Sequence, residues 1–133
     1  MIKKINHIGI AVNDVRKFIP IFTEKLKLKI GHEEEADKED SHIKVVFFPV
    51  GESDIELIES SEKQGIIADF LAKRGEGIHH IALEVDNIEK TVKDLKSREI
   101  KLMWDIIDGS RGAKIAFIDP CETGGILIEF VQT

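Results

Sequence analysis

Two histidines in this chain are each followed, 49 residues later, by a glutamate: His7 by Glu56 and His80 by Glu129. The histidines lie in Ile5-Asn6-His7-Ile8-Gly9-Ile10-Ala11-Val12 and Ile78-His79-His80-Ile81-Ala82-Leu83-Glu84-Val85. The glutamates lie in Asp54-Ile55-Glu56-Leu57-Ile58-Glu59 and Gly125-Ile126-Leu127-Ile128-Glu129-Phe130. One His…Glu unit therefore occurs twice, offset by 73 residues. Two imidazoles and two carboxylates converging on a pseudo-two-fold pocket make a first shell for a divalent transition metal. A lone strand histidine is more often a hydrogen-bonded core residue than a ligand, and alternation can put a strand glutamate on a solvent face. Neither reading explains a shared offset. Burying Glu56 between Ile55 and Leu57, or Glu129 between Ile128 and Phe130, costs several kcal/mol unless the carboxylate is paired or metal-bound. His79 competes with His80, and Glu59 with Glu56. Alternation turns each competitor to the opposite strand face, and the repeat register selects His80 and Glu56.

The elements that must position these residues follow from the same repeat. At the offset of 73, Val12 meets Val85, Asn13 meets Asp86, Asp14 meets Asn87, Gly51 meets Gly124 and Ile55 meets Ile128. The period is too long for a solenoid and suits two copies of a βαβββ unit. The expected fold is α+β: two paired βαβββ modules, about 1–62 and 76–133, forming a curved mixed sheet around a metal pocket within one domain over 1–133. A linker helix is expected over about 65–74, closed by Gly75 and Gly77. In the first module, strands are expected at 4–12, Lys27 to about Glu33, 42–49 and 53–60. A helix capped by Asp14 carries Val15, Phe18, Ile19, Phe22 and Leu26, with a kink or late start at Pro20. Glu33 to Asp40 reads as a solvated charged loop. In the second module, strands are expected at 77–85, near 100–105, at 113–119 and at 125–132. Asp86 with Glu89 resembles a capping box.

Composition narrows the function classes. The chain has 133 residues, 42% of them hydrophobic, and a net charge of −6. That argues against a general nucleic-acid binder, and no apolar run is long enough to cross a bilayer. Met1-Ile2-Lys3-Lys4 leads into a strand without a signal-peptide pattern. Cys121 is the only cysteine, so no internal disulfide forms, which fits a reducing cytoplasm. Cys121 has no nucleophile's partner in the sequence. His32 and His42, flanking the acidic run, read as surface residues. Thr123-Gly124-Gly125 is a weak anion motif, and no dinucleotide or Walker-type fingerprint is present.

The doubled pattern with paired His…Glu ligands resembles the vicinal oxygen chelate superfamily. Within it, the His7 segment and Ile66-Ile67-Ala68-Asp69-Phe70-Leu71-Ala72-Lys73-Arg74-Gly75-Glu76-Gly77-Ile78-His79-His80-Ile81-Ala82 look like the methylmalonyl-CoA epimerase family. Val45-Val46-Phe47-Phe48-Pro49-Val50-Gly51 and the Thr123–Glu129 segment also fit. The resemblance implies a divalent metal, cobalt in preference to nickel, zinc or manganese, held by His7, Glu56, His80 and Glu129. It implies a cytoplasmic homodimer acting on an acyl-CoA, without nucleic-acid or membrane partners. Two departures stand out. Lys44 occupies the position where the family carries a second catalytic glutamate, and Asp119-Pro120-Cys121 replaces His-Pro-Lys before the last strand.

The reaction implied is metal-dependent epimerisation of methylmalonyl-CoA, or a related 2-substituted acyl-CoA, through a chelated enolate. Glu129 is the expected base. Glu56 is preferred as the second proton carrier over Lys44 or water. Glyoxalase I, isomerising a hemithioacetal with the same ligands, is the alternative. A non-catalytic small-molecule-binding resistance protein is the third reading. Lys73, Arg74, Lys101, Arg111 and Lys114 are the basic residues that could meet CoA phosphates.

Overall fold

The computed structural model describes residues 1–38, 41–61 and 65–133. Among them are eight strands and three α-helices, an α+β arrangement. They fall into two compact units. One comprises Ile8–His79; the other comprises Met1–His7 with His80–Thr133. Strands β1 (Ile2–Ala11) and β5 (Gly77–Val85) each contribute residues to both units.

In the unit Ile8–His79, β2 (His32–Lys38), β3 (Ser41–Val50) and β4 (Ser53–Ser60) pair antiparallel in that order. The continuous run Val45-Val46-Phe47-Phe48 on β3 is explained by cover on both faces. Val45 and Phe47 pack with Ala11, Ile58 and Ile67, beneath Phe70 and Leu71 of α2 (Ile66–Arg74). Val46 and Phe48 pack with Val12, Val15 and Leu57, beneath Phe18 and Ile19 of α1 (Val15–Pro20). Strand alternation sends successive side chains into the two cores. Asp14 caps α1 as expected, accepting from the Arg16 N–H. Pro20 has no N–H to give the preceding turn. Beyond it the helix widens to a π-turn over Ile21–Lys25, where the Leu26 N–H bonds the Ile21 carbonyl. Gly75 closes α2 in the left-handed region at φ 75°, its N–H bonding the Leu71 carbonyl.

Two expectations in this unit are corrected. The strand expected from Lys27 begins five residues later, at His32. Lys27 has φ 59°, a left-handed conformation that no strand tolerates. Most of the charged run expected as a loop is instead β2, with Glu35 opposite Lys44 on β3. It is the outermost strand of its order, so Glu33 and Glu35 stay exposed while the backbone bonds inward. Glu39 and Asp40, at the end of that expected loop, lie outside the described residues.

In the other unit, β5 runs parallel to β8 (Ile128–Gln132), with Ala82 opposite Glu129. β7 (Lys114–Phe117) pairs antiparallel with β8, with Phe117 opposite Glu129, and the two-residue β6 (Ile107–Asp108) pairs with β7. Helix α3 (Ile88–Ser97) buries Ile88, Val92 and Leu95, the i, i+4, i+7 stripe of an amphipathic helix, against Val85, Ala116, Ile118 and Phe130. Its N-cap is Asn87, whose side chain accepts from the Lys90 N–H, rather than the expected Asp86. The Asp86 carboxylate instead bonds the N-terminal ammonium at 3.1 Å. The strand expected near 100–105 is reduced to a single bridge between Leu102 and Ile118. The Lys101 N–H is taken by the Glu122 carboxylate, which removes that donor from any ladder.

Candidate metal centre

Three of the four expected ligands come together inside the unit formed by Met1–His7 and His80–Thr133. Alternation puts His80 and Ala82 on one face of β5. The pairing of Ala82 with Glu129 carries that face onto β8, and the pairing of Glu129 with Phe117 carries it onto β7. His7 meets this face from the middle of β1. Its Nε2 lies 3.1 Å from Nε2 of His80. Glu129 spans the two rings, Oε1 3.6 Å from His7 Nε2 and Oε2 3.8 Å from His80 Nε2. All three residues are 4–5% exposed. Phe117 sets its ring edge-on to the His80 ring at 6.1 Å and walls the group with apolar surface.

The donor set fits a divalent transition metal. Two imidazole nitrogens each about 2.1 Å from one cation lie about 3.0 Å apart at an octahedral angle and about 3.4 Å apart at a tetrahedral one, and the observed separation is 3.1 Å. Two imidazoles and a carboxylate suit nickel, zinc or cobalt ions, whereas magnesium and calcium take all-oxygen sets. Bringing an anion and two imidazoles out of water together is costly unless their charges and lone pairs are matched. A bound cation supplies that match.

Glu56, the fourth expected ligand, lies on β4 in the unit Ile8–His79, opposite Phe47 and 4% exposed. Its competitor Glu59 is opposite Lys44, on the other face of the strand, as alternation requires. There Glu59 accepts the Val15 N–H at 2.9 Å and helps cap α1. Lys44 shares the Glu59 face, not the Glu56 face, and its ammonium lies 3.7 Å from Glu35. His79, the competitor of His80, packs edge-on against Phe70 at 5.0 Å.

The remaining polar candidates have structural partners. His32 pairs with Glu34 at 3.1 Å and His42 with Glu35 at 3.2 Å. Cys121 is exposed on a turn, and the Asp119 carboxylate beside it pushes its thiol pKa up, the opposite of an activated nucleophile. The Gly125 N–H is taken by the Pro120 carbonyl, which weakens the anion-site reading of that turn. Lys114 lies 3.5 Å from Asp108, and the Arg74 guanidinium sits over the Phe70 ring at 6.0 Å.

Sequence reasoning missed the role of three residues around His7, having named Arg111 only as a possible CoA contact. The Asn6 Oδ1 lies 2.7 Å from His7 Nδ1, the Asn6 Nδ2 donates to Glu84 Oε1 at 2.8 Å, and Arg111 donates to Asn6 Oδ1 at 3.3 Å. Glu84 was the available signal, a carboxylate at the end of the apolar run Ile81-Ala82-Leu83.

The sequence model of the Glyoxalase/Bleomycin resistance protein/Dioxygenase superfamily matches residues 6–117. The chain belongs to this superfamily. Its relatives there include methylmalonyl-CoA epimerases. The mitochondrial methylmalonyl-CoA epimerase of Homo sapiens is 34% identical, over 97% of this chain and 73% of the relative. The crystal structure of methylmalonyl-CoA epimerase from Mycobacterium tuberculosis superposes with a TM-score of 0.89 at 30% identity, covering 98% of this chain and 88% of that one. A variant of the Streptomyces coelicolor epimerase, solved in complex with 2-nitronate-propionyl-CoA, superposes with a TM-score of 0.90 at 25% identity, over 100% and 99% of the two chains. These superpositions extend the superfamily's fold over nearly the whole chain.

Proposed function

We propose that this superfamily member is a metal-dependent methylmalonyl-CoA epimerase, an isomerase that inverts C2 of a 2-carboxyacyl thioester. The buried His7–His80 pair at 3.1 Å, spanned by Glu129, is the observation that carries the metal-dependent reading. The epimerase relatives, one solved with an acyl-CoA analogue, support the substrate class.

His7, His80 and Glu129 would hold the cation, and the duplicated His…Glu register makes Glu56 the proposed fourth ligand. Bound there, a divalent ion acts as a Lewis acid toward the charge that develops on the thioester oxygen. The protein's residues supply the proton chemistry. The Glu129 carboxylate takes the C2 proton, leaving its electron pair delocalised into the thioester carbonyl. The carbon becomes planar, and Glu56, the proposed second proton carrier, returns a proton with inverted configuration. The next cycle starts with the two carboxyl groups in exchanged protonation states. Phe117 and Ala82 leave the Glu129 side of the site apolar, which favours proton transfer between weakly solvated groups. Cobalt is the native ion, and the working form is a cytoplasmic homodimer.

The test is solvent exchange at C2. The chain, loaded with Co²⁺ in deuterated buffer and given methylmalonyl-CoA of one configuration, should incorporate deuterium while the configuration scrambles. Absence of both, with metal bound, would overturn the reading. The same sample given methylglyoxal and glutathione tests the glyoxalase I alternative.

A further inference from the structure

We propose that Asn6 is a positioning residue that fixes the tautomer of His7, with Glu84 and Arg111 fixing Asn6 in turn. The proposal rests on the metal reading for its purpose, but not for its geometry.

Which end of the Asn6 amide is oxygen follows from its partners. The end facing Glu84 must donate, because an ionised carboxylate only accepts, so it is Nδ2, at 2.8 Å. The other end must be oxygen, because the Arg111 guanidinium only donates to it, at 3.3 Å. That oxygen is 2.7 Å from His7 Nδ1, so Nδ1 carries the hydrogen. In a neutral imidazole only one nitrogen is protonated, and the lone pair therefore sits on Nε2, the atom that lies 3.1 Å from His80 Nε2. A metal-binding histidine needs this arrangement: its other ring nitrogen is held by a hydrogen-bond acceptor that sets tautomer and ring rotation.

The supporting groups are built rather than incidental. Asn6 is 5% and Glu84 9% exposed, so neither exchanges its partner freely for water. The Lys3 ammonium, 3.7 Å from the second oxygen of Glu84, offsets the charge that holds the Asn6 amide. Arg111 reaches Asn6 from a turn in which its own backbone is left-handed, at φ 60°. A non-glycine residue in that region stores backbone strain that its surroundings must offset.

The tautomer is read directly by ¹⁵N–¹H NMR of the imidazoles in the full-length chain after chelation. His7 should show a protonated Nδ1 and a pyridine-type Nε2. In Asn6→Leu that signature should be lost, and Co²⁺ affinity, measured by chelator competition, should fall about 10–100-fold. The double exchange Asn6→Asp with Glu84→Gln conserves the pair's charge and reverses the donor between them. It should restore both the tautomer and most of the affinity. A His7 protonated on Nε2 in the wild-type protein overturns the proposal, as does an Asn6→Leu chain with unchanged tautomer and affinity. A double exchange that restores neither also overturns it. A wild-type chain with the Nδ1–H tautomer that binds no cation supports the tautomer lock and overturns the metal reading instead.

Discussion

His7 Nε2 lies 3.1 Å from His80 Nε2, although the two residues are 73 positions apart. The sequence repeat has the same length, so equivalent atoms of the two copies face one another. Metal binding is the first prediction from this geometry. One divalent ion per chain should be found by elemental analysis. Its removal by chelation should lower Tm, and Tm should climb again with added Co²⁺ as mass action requires. His80→Ala should lose both the ion and this rise. A wild-type Tm that does not respond to any divalent cation would count against the site.

Under the proposed function Glu129 is the base; its two oxygens lie 3.6 and 3.8 Å from the two ring nitrogens, beyond a tight hydrogen bond. Glu129→Ala should reduce kcat by about 10²–10⁴-fold, the usual worth of a positioned proton carrier. Near-wild-type turnover with the metal retained would remove Glu129 from that role.

That His7, His80 and Glu129 would converge was legible in the sequence because duplication wrote the His…Glu spacing twice. Strand alternation then separated His80 from His79 and Glu56 from Glu59. The support of His7 was not legible, since Asn6, Glu84 and Arg111 meet only through tertiary contacts and repeat no spacing. Local rules failed where two residues competed for one task. Asp86 and Asn87 both read as caps of α3; Asn87 takes the Lys90 N–H, and Asp86 engages the N-terminal ammonium. The strand His32–Lys38 was hidden because an edge strand needs little apolar patterning when its partner supplies the backbone bonds.

Each compact unit has its own apolar core, and each should respond to truncation. Ile88, fully buried at the start of α3, should cost about 2–5 kcal/mol as Ile88→Ala. Phe48, stacked on Phe22 at 5.2 Å, should cost about 3–5 kcal/mol as Phe48→Ala. Denaturant titration at fixed metal concentration measures both. A loss under 1 kcal/mol at either position would contradict the packing described.

Acid should weaken the fold through its capping carboxylates. The Arg16 guanidinium and N–H hold Asp14 below its ordinary 3.8, and the Cys121 N–H does the same for Asp119. A depressed folded-state pKa means these contributions are complete above about pH 4 and fade as pH falls through the lower, folded values. The Tm difference between wild type and Asp14→Ala should therefore be widest near neutrality and shrink below pH 3.8. A difference that stays constant down to pH 2 would assign it to something other than charge.

The unit that holds His7 is assembled from chain segments lying on either side of residues 8–79. During synthesis, His7 and His80 can meet only once the 72 residues between them have been made. Closing so long a loop is entropically expensive and slow. The histidine pair is thus a late product of folding, and cations present in the cell meet only separated imidazoles until then.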